Sequence, residues 1–583
     1  MASCPINPAS EMIADFIYRY GNYKPFPIAQ EDILCTDLVT LDYTIIYTPL
    51  EKASPISLSR YSYYSIPSIF TLLDTESLEA SGISAVFNTP SLANKGRGVL
   101  IGVIDTGIDY TNPLFLYPDG RTRIASIWDQ TLPEDTEAPP PGVPGYSPGS
   151  GASYGTEFTR EQINEALASD SPFSLVPTRD ANGHGTFLAA VAAGNSVPEQ
   201  DFSGAAPEAE LVVVKLKPAK QYLREFYQIP GEAEAFQEND IMMAVKYMRV
   251  ASYLLGKPLV ILLGLGTNLG SHEATSPLCL VLQDISRTLG MATVIAAGNE
   301  TGLSHHFPGS LGSDQEWQDV EIRVGPREAQ GGFVLELWSA AADTFSVGFL
   351  SPSGEQVNRL PVLADNETVI SFLLETTVVT VYNLPIETGS GRQLIFMRFH
   401  NPSAGVWKVR VYPSQYFLGA YNMWLPAQGL ISNETVFLSP SPYTTITEPG
   451  NTSGPITVGA YNHQSGGIYI HSSRGFTAAG LIKPDITAPG VNILGPSMDR
   501  RPDPGIPLTR RTGTSIAAAQ TAGAAADLFG WGIVDGNDRT MSEAAIKSHL
   551  IRGANRNPSL AYPNQEWGYG TLNLFQAFLQ LRE

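Results

Sequence analysis

Apolar positions along this chain fall into two regimes. Between Gly98 and Ala297, uninterrupted aliphatic runs alternate with stretches of helical spacing. The runs are Val99–Ile104, Leu211–Leu216, Leu259–Gly264 and Ala292–Ala297. The helical pattern covers His184–Ala193, Glu234–Leu255 and Leu278–Leu289, and Thr159–Leu167 adds a helix with Thr159 as its N-cap. A strand without polar alternation is buried on both faces, as in a parallel sheet covered by helices. The two signals in alternation predict a doubly wound α/β sheet.

From Val320 to Pro440 the pattern is different. Phe333–Trp338, Phe345–Leu350, Thr377–Tyr382, Leu394–Phe399 and Val406–Tyr412 are short runs separated by turn residues at intervals of roughly ten, which predicts an all-β sandwich or jelly roll. The α/β character returns at Ile456–Ala460, and helices follow at Ser515–Leu528, Ser542–Leu550 and Leu572–Leu581. The β module is therefore an insertion. At the other end, Glu11–Arg19 reads as a helix, Thr40–Tyr47 as a strand, and Pro49–Pro67 is rich in Pro and Ser. The expected units are a small N-terminal α+β segment (1–75), an α/β domain in two parts (76–309 and 446–583), and the inserted module (310–445).

Composition narrows the class. A hydrophobic content of 43% over 583 residues excludes global disorder. The balance of 57 acidic against 36 basic residues, −21 net, with no basic run, argues against electrostatic nucleic-acid binding. The longest apolar stretches have strand length, so no membrane span is expected. The first residues lack the basic and apolar regions of a secretory signal. Cys4, Cys35 and Cys279 are too few and too scattered for a disulfide framework or a zinc site. The acidic stretch Pro133–Glu137, within a Pro/Gly-rich loop from Leu132 to Gly155, reads as solvated surface, and no specific motif supports structural calcium. His305-His306 lies in a loop without a third metal ligand nearby.

Three motifs carry candidate chemistry. Asp105-Thr-Gly ends a predicted strand, Asn182-Gly-His-Gly-Thr186 opens a helix, and Gly513-Thr-Ser-Ile-Ala517 opens another. In open α/β sheets, sites gather at the carboxyl ends of strands and the adjoining helix starts. A serine hydroxyl needs an adjacent base to act as a nucleophile. Histidine is suited to that task near neutral pH. A carboxylate behind it holds the tautomer and stabilises the imidazolium. Asp109 is a competing carboxylate but reads as a loop or capping residue. A fourth motif, Ala296-Ala-Gly-Asn-Glu300, follows a strand. A Gly-x-Ser-x-Gly elbow with the order Ser…Asp…His, as in lipases, is absent.

The order Asp105…His184…Ser515, with Asn299 between the last two, resembles the subtilisin-like serine proteases. The resemblance implies peptide-bond hydrolysis through an acyl-enzyme, with no cofactor required, and Asn299 and the Ser515 N–H stabilising the oxyanion. It also implies that Gly264, Leu265 and Gly266, in Leu263-Gly-Leu-Gly-Thr267, run along the substrate backbone. Gly264 stands where the family usually has Ser; Ile516 replaces the usual Met, and Ala519-Gln520 the usual Pro-His. Ser126–Gln130, Gly155–Asn164, Gly183–Leu188 and Gly513–Ala519 resemble the clostridial Csp-type, germination-associated branch. That branch implies a jelly-roll insertion and an N-terminal prodomain that is cut autocatalytically and can stay bound, the cut falling between Ser68 and Ser77. The implied partners are a protein or peptide substrate and the protein's own prodomain, and the implied location is cytoplasmic or spore-associated. Some members of the branch have lost triad residues and act as silent signalling scaffolds. That remains the alternative to an active peptidase.

Overall fold

The computed structural model describes residues 7–21, 26–73, 81, 83, 86, 94–133, 153–340, 342–361, 366–498 and 505–581. Its centre is an eight-stranded sheet. The strand order is Ile486–Pro489, Ile456–Tyr461, Met291–Ala296, Leu259–Leu263, Leu100–Asp105, Glu210–Lys215, Ile124–Asp129 and Thr156–Thr159. Every pair is parallel except the last, which is an antiparallel edge. The aliphatic runs form the middle of this sheet, and the Leu100–Asp105 strand is buried along its whole length.

Two helices cross the sheet beneath the candidate site, His184–Ala193 and Thr514–Phe529, and every residue of both is buried. Helices this rich in alanine, with no continuous polar face, belong inside a protein. Their alanines and glycines allow close packing: a Cβ built on Gly523 would lie 2.3 Å from the Ala205 Cβ and 2.9 Å from the Ala192 carbonyl oxygen. Filling such a contact typically costs about 1–3 kcal/mol.

The β module consists of a six-stranded and a five-stranded sheet, both antiparallel, with strands drawn from His306–Ser310 to Val436–Phe437. Phe345, Met397, Phe399, Trp407 and Tyr421 fill the space between them. The module is tied to the rest of the chain through Glu336. Its buried carboxylate accepts from Tyr63 Oη (2.6 Å), Trp338 Nε1 (2.9 Å) and Gly270 N (3.0 Å).

The N-terminal segment departs from expectation. Glu11–Arg19 is not a helix; Ile13–Arg19 is an edge strand of a three-stranded antiparallel sheet, paired with the central Tyr43–Pro49 strand, which pairs on its other side with Cys35–Leu38. Residues 13–17 are buried on both faces. One face packs with Leu100, Trp128 and Met242, the other with Tyr61, Tyr222 and Phe226. Asp15, 1% exposed, accepts from Lys220 Nζ (2.5 Å), Gln237 Nε2 (2.6 Å) and Asn239 Nδ2 (3.3 Å). Cys35 is disulfide-bonded, Cys279 is a buried free thiol, and Cys4 lies outside the described residues. So do residues 134–152, which take in nearly all of the acidic stretch and the long loop. Among the described residues no helix is long and apolar enough to cross a membrane.

Candidate active site

Three elements converge at the carboxyl edge of the sheet. Asp105 is the last residue of its strand, His184 is the first of its helix, and Ser515 is the second residue of the Thr514–Phe529 helix. The His184 Nδ1 lies 2.7 and 2.8 Å from the two Asp105 carboxylate oxygens, and its Nε2 lies 3.4 Å from Ser515 Oγ. All three side chains are at most 1% exposed. Thr106 N donates to Asp105 Oδ1 at 2.8 Å, which fixes the carboxylate before the imidazole approaches. Asp109 forms a turn instead, accepting from Thr111 N and Oγ1.

Asn299 stands beside Ser515. Its Oδ1 accepts from Thr514 N (3.2 Å) and Thr514 Oγ1 (3.1 Å). With the oxygen engaged on that side, the Nδ2 end is the one turned away from Thr514, as a donor to a developing oxyanion must be.

The cleft is filled. Ile69–Leu72 is the middle strand of a three-stranded sheet, antiparallel to Leu265–Gly266 on one side and Phe236–Gln237 on the other. Leu72 pairs with Leu265 and Thr71 with Gly266. One residue on, Leu73 N donates to the Gly264 carbonyl (2.9 Å), and the Leu73 carbonyl accepts from Ser515 N (3.2 Å). The Leu73 side chain is buried, with Cδ1 against Gly266. Gly264, Leu265 and Gly266 thus pair with the chain's own Thr71–Leu73 segment by strand addition.

Residues 96–353 and 432–570 match the subtilase family, Peptidase_S8, and the unmatched stretch between them falls in the β module. The chain belongs to the subtilase family. Subtilisin-like protease SBT4.9 of Arabidopsis thaliana is 25% identical over 470 residues, 78% of this chain and 56% of that protein; the chain thus spans little more than half of that relative's length. Subtilisin-like protease SBT2.1 of the same plant is 35% identical over 136 residues, 21% of this chain and 15% of that protein. Among solved structures, the CspB protease of Clostridium perfringens matches with a TM-score of 0.74 and 30% identity, over 86% of this chain and 97% of that one.

In this subtilase the glycine in place of the family's usual serine has a local reason. A Cβ on Gly264 would lie 2.7 Å from Leu188 Cδ1 and 3.2 Å from both His184 Cε1 and Ser515 Cβ. Leu188 occupies the room a side chain would need. Gly264→Ser is expected to slow peptide cleavage about tenfold, an overpacking cost of about 1–3 kcal/mol placed beside the reacting groups. Adding Leu188→Val should recover most of the loss, as read by the two cleavage rates. Gln520 stands where the family has His and donates to the Pro489 carbonyl (3.0 Å), spending its amide on backbone.

Two supporting acids escaped the sequence reading. Asp180, 3% exposed, accepts from Thr106 Oγ1 (2.9 Å), Gly183 N (2.8 Å), Thr186 N (2.9 Å) and Thr186 Oγ1 (2.7 Å). It joins the turn after Asp105 to the start of the His184 helix. An Asp placed a few residues before a helix start was the available signal. Glu300, next to Asn299, is the other. Its carboxylate lies 2.7 Å from His305 Nδ1. His306 Nε2 lies 2.9 Å from Asn422 Oδ1, so the two adjacent histidines are directed to different partners.

Proposed function

We propose that this subtilase is a serine endopeptidase made as a zymogen, and that its first substrate is its own Leu73–Asp74 bond. The observation that carries this reading is the Leu73 carbonyl, which accepts from Ser515 N at 3.2 Å while Leu73 N is held by the Gly264 carbonyl. The stretch expected to contain the cut, Ser68–Ser77, is described as far as Leu73; residues 74–77 lie outside the described residues.

The chemistry follows from the residues. His184 Nε2 takes the Ser515 proton as Oγ attacks the Leu73 carbonyl carbon. The oxyanion is held by the Ser515 N–H and the Asn299 amide, and Asp105 stabilises the imidazolium. His184 then gives the proton to the Asp74 nitrogen as the C–N bond breaks. Water, activated by the same imidazole, hydrolyses the Leu73 ester and regenerates Ser515.

A second reading has a specific observation in its favour. The described residues of the proposed prodomain, 7–21 and 26–73, share two apolar cores and the Asp15 network with the rest of the molecule. A segment so deeply packed can stay after the cut and keep the cleft closed, which would make the protein an interaction scaffold. If the prodomain leaves, limited proteolysis of another protein becomes the role, and the Csp-type resemblance points to spore germination. Intact mass of the purified chain tests the first step. The expected species are residues 1–73 and 74–583. A chain that stays whole, or is cut elsewhere, overturns the assignment of Leu73.

A further inference from the structure

The inserted β module reaches the proposed oxyanion donor through one buried carboxylate, that of Glu300. This residue is 2% exposed and directly follows Asn299 in the chain. Its backbone N donates to Ser473 Oγ (3.0 Å), and Gly298 N, two residues back, donates to Thr514 Oγ1 (3.2 Å). Both sides of the Asn299 peptide are therefore clamped by the catalytic domain.

The Glu300 side chain points the other way. Oε1 accepts from Gln428 N (2.8 Å), and Oε2 accepts from Asn268 Nδ2 (2.8 Å) and faces His305 Nδ1 (2.7 Å). Asn268 lies two residues beyond Gly266, on the wall of the peptide cleft, and its amide also donates to the Leu425 carbonyl (3.2 Å). His305 immediately precedes the His306–Ser310 strand of the β module, and its carbonyl accepts from Leu425 N (3.0 Å). The His305 Nε2 has no hydrogen-bond partner among the described residues, so the polar function of the ring is spent on Glu300. Burial pushes the Glu300 carboxyl up, but the His305 ring and the amide donors outweigh it and hold the group below the usual carboxylate range.

We infer that Glu300 and His305 are positioning residues through which the β module sets the oxyanion loop. A carboxylate held by a backbone N–H, an amide and an imidazole has one place to sit. The loop that carries Asn299 is anchored to that place. Charge-assisted hydrogen bonds are the strong ones, and donors aimed in advance at the oxyanion give the site its catalytic value. The inference rests on the proposed role of Asn299, and it assigns the β module a catalytic duty beyond stabilising the fold.

The test is the first-order rate of self-cleavage of the full chain after refolding, followed by intact mass. Removing an oxyanion amide costs about 10²–10³ in turnover, a magnitude measured on subtilisin itself; misplacing it should cost on the order of tenfold. His305→Ala is expected to slow self-cleavage about tenfold. His305→Asn, whose side-chain amide nitrogen can stand where Nδ1 stood, should restore most of the rate. A purely structural role would not separate these two variants, provided their melting temperatures agree. If His305→Ala does not fold, Asn268→Ala, which removes another donor to the same carboxylate, decides: slower cleavage supports the tether, and an unchanged rate overturns it. Equal rates in His305→Ala and His305→Asn overturn it as well. Asn299→Ala is the control on the underlying reading. If it cleaves at the wild-type rate, or the wild type does not cleave, the proposed oxyanion donor fails and the tether falls with it. If Asn299→Ala is slow and His305→Ala is not, the tether alone is wrong.

Discussion

The Ser515→Ala chain is expected to remain one intact species under conditions in which the wild type has separated into residues 1–73 and 74–583. Ser515 Oγ lies 3.4 Å from the His184 base, and the next residue of the cleft strand, Leu73, offers its carbonyl to the Ser515 N–H. Without the hydroxyl no acyl-enzyme can form. Only direct attack by water remains, helped by the backbone donor and Asn299. In subtilisin, removal of the corresponding serine costs about 2 × 10⁶ in turnover, and a residue of about 10³–10⁴ over water survives. A loss of that order turns minutes into years, so the variant should show no fragment at all. Folding should be untouched. The Cβ is retained, and the helix N-cap is Gly513, with Ser515 contributing no capping hydrogen bond. A melting temperature within about a degree of that of uncut wild type would confirm that the chemistry alone was removed. Fragmentation of the variant at Leu73 would mean that another nucleophile, or another protease, makes the cut.

Asp105→Asn should give the next largest effect, about 10⁴-fold in the rate of self-cleavage. Asp105 Oδ1 is occupied by Thr106 N (2.8 Å) as well as by His184 Nδ1. The asparagine will therefore keep its oxygen toward Thr106 and turn its NH₂ toward Nδ1. A donor facing Nδ1 forces the imidazole proton onto Nε2. That nitrogen can then no longer accept the Ser515 proton, although nothing has moved. The comparison is a time course by mass: slower than Asn299→Ala, faster than Ser515→Ala. A wild-type rate would show that the Asp105–His184 pair has no part in activating the serine.

Much of the catalytic framework was legible because its signals are local. Each central strand is an uninterrupted aliphatic run, and each proposed catalytic residue sits within a few positions of a strand end or a helix start. The Ile13–Arg19 strand was misread for a related reason. Met12, Ile13, Phe16 and Ile17 have helical spacing, and a strand buried on both faces lacks the alternation that would reveal it. Ile124–Asp129, buried throughout, gave equally little contrast. Asp180 and Glu300 act through groups distant in sequence, so spacing alone could not single them out. The position of Leu73 depends on a register set by Leu265 and Gly266, almost two hundred residues away.

The Asp15 network gives the proposed cut a thermodynamic meaning. Before cleavage, the Asp15 carboxylate and the Lys220 ammonium belong to one molecule, and their meeting is an intramolecular event. After cleavage they belong to two. Breaking a buried pair by removing one partner costs about 3–5 kcal/mol, so each fragment alone would carry a charge designed for the other. The molecule would then be an obligate heterodimer made from a single gene product, and its resistance to unfolding would become a function of concentration. A high concentration of the two fragments would hold it together, and dilution would take it apart.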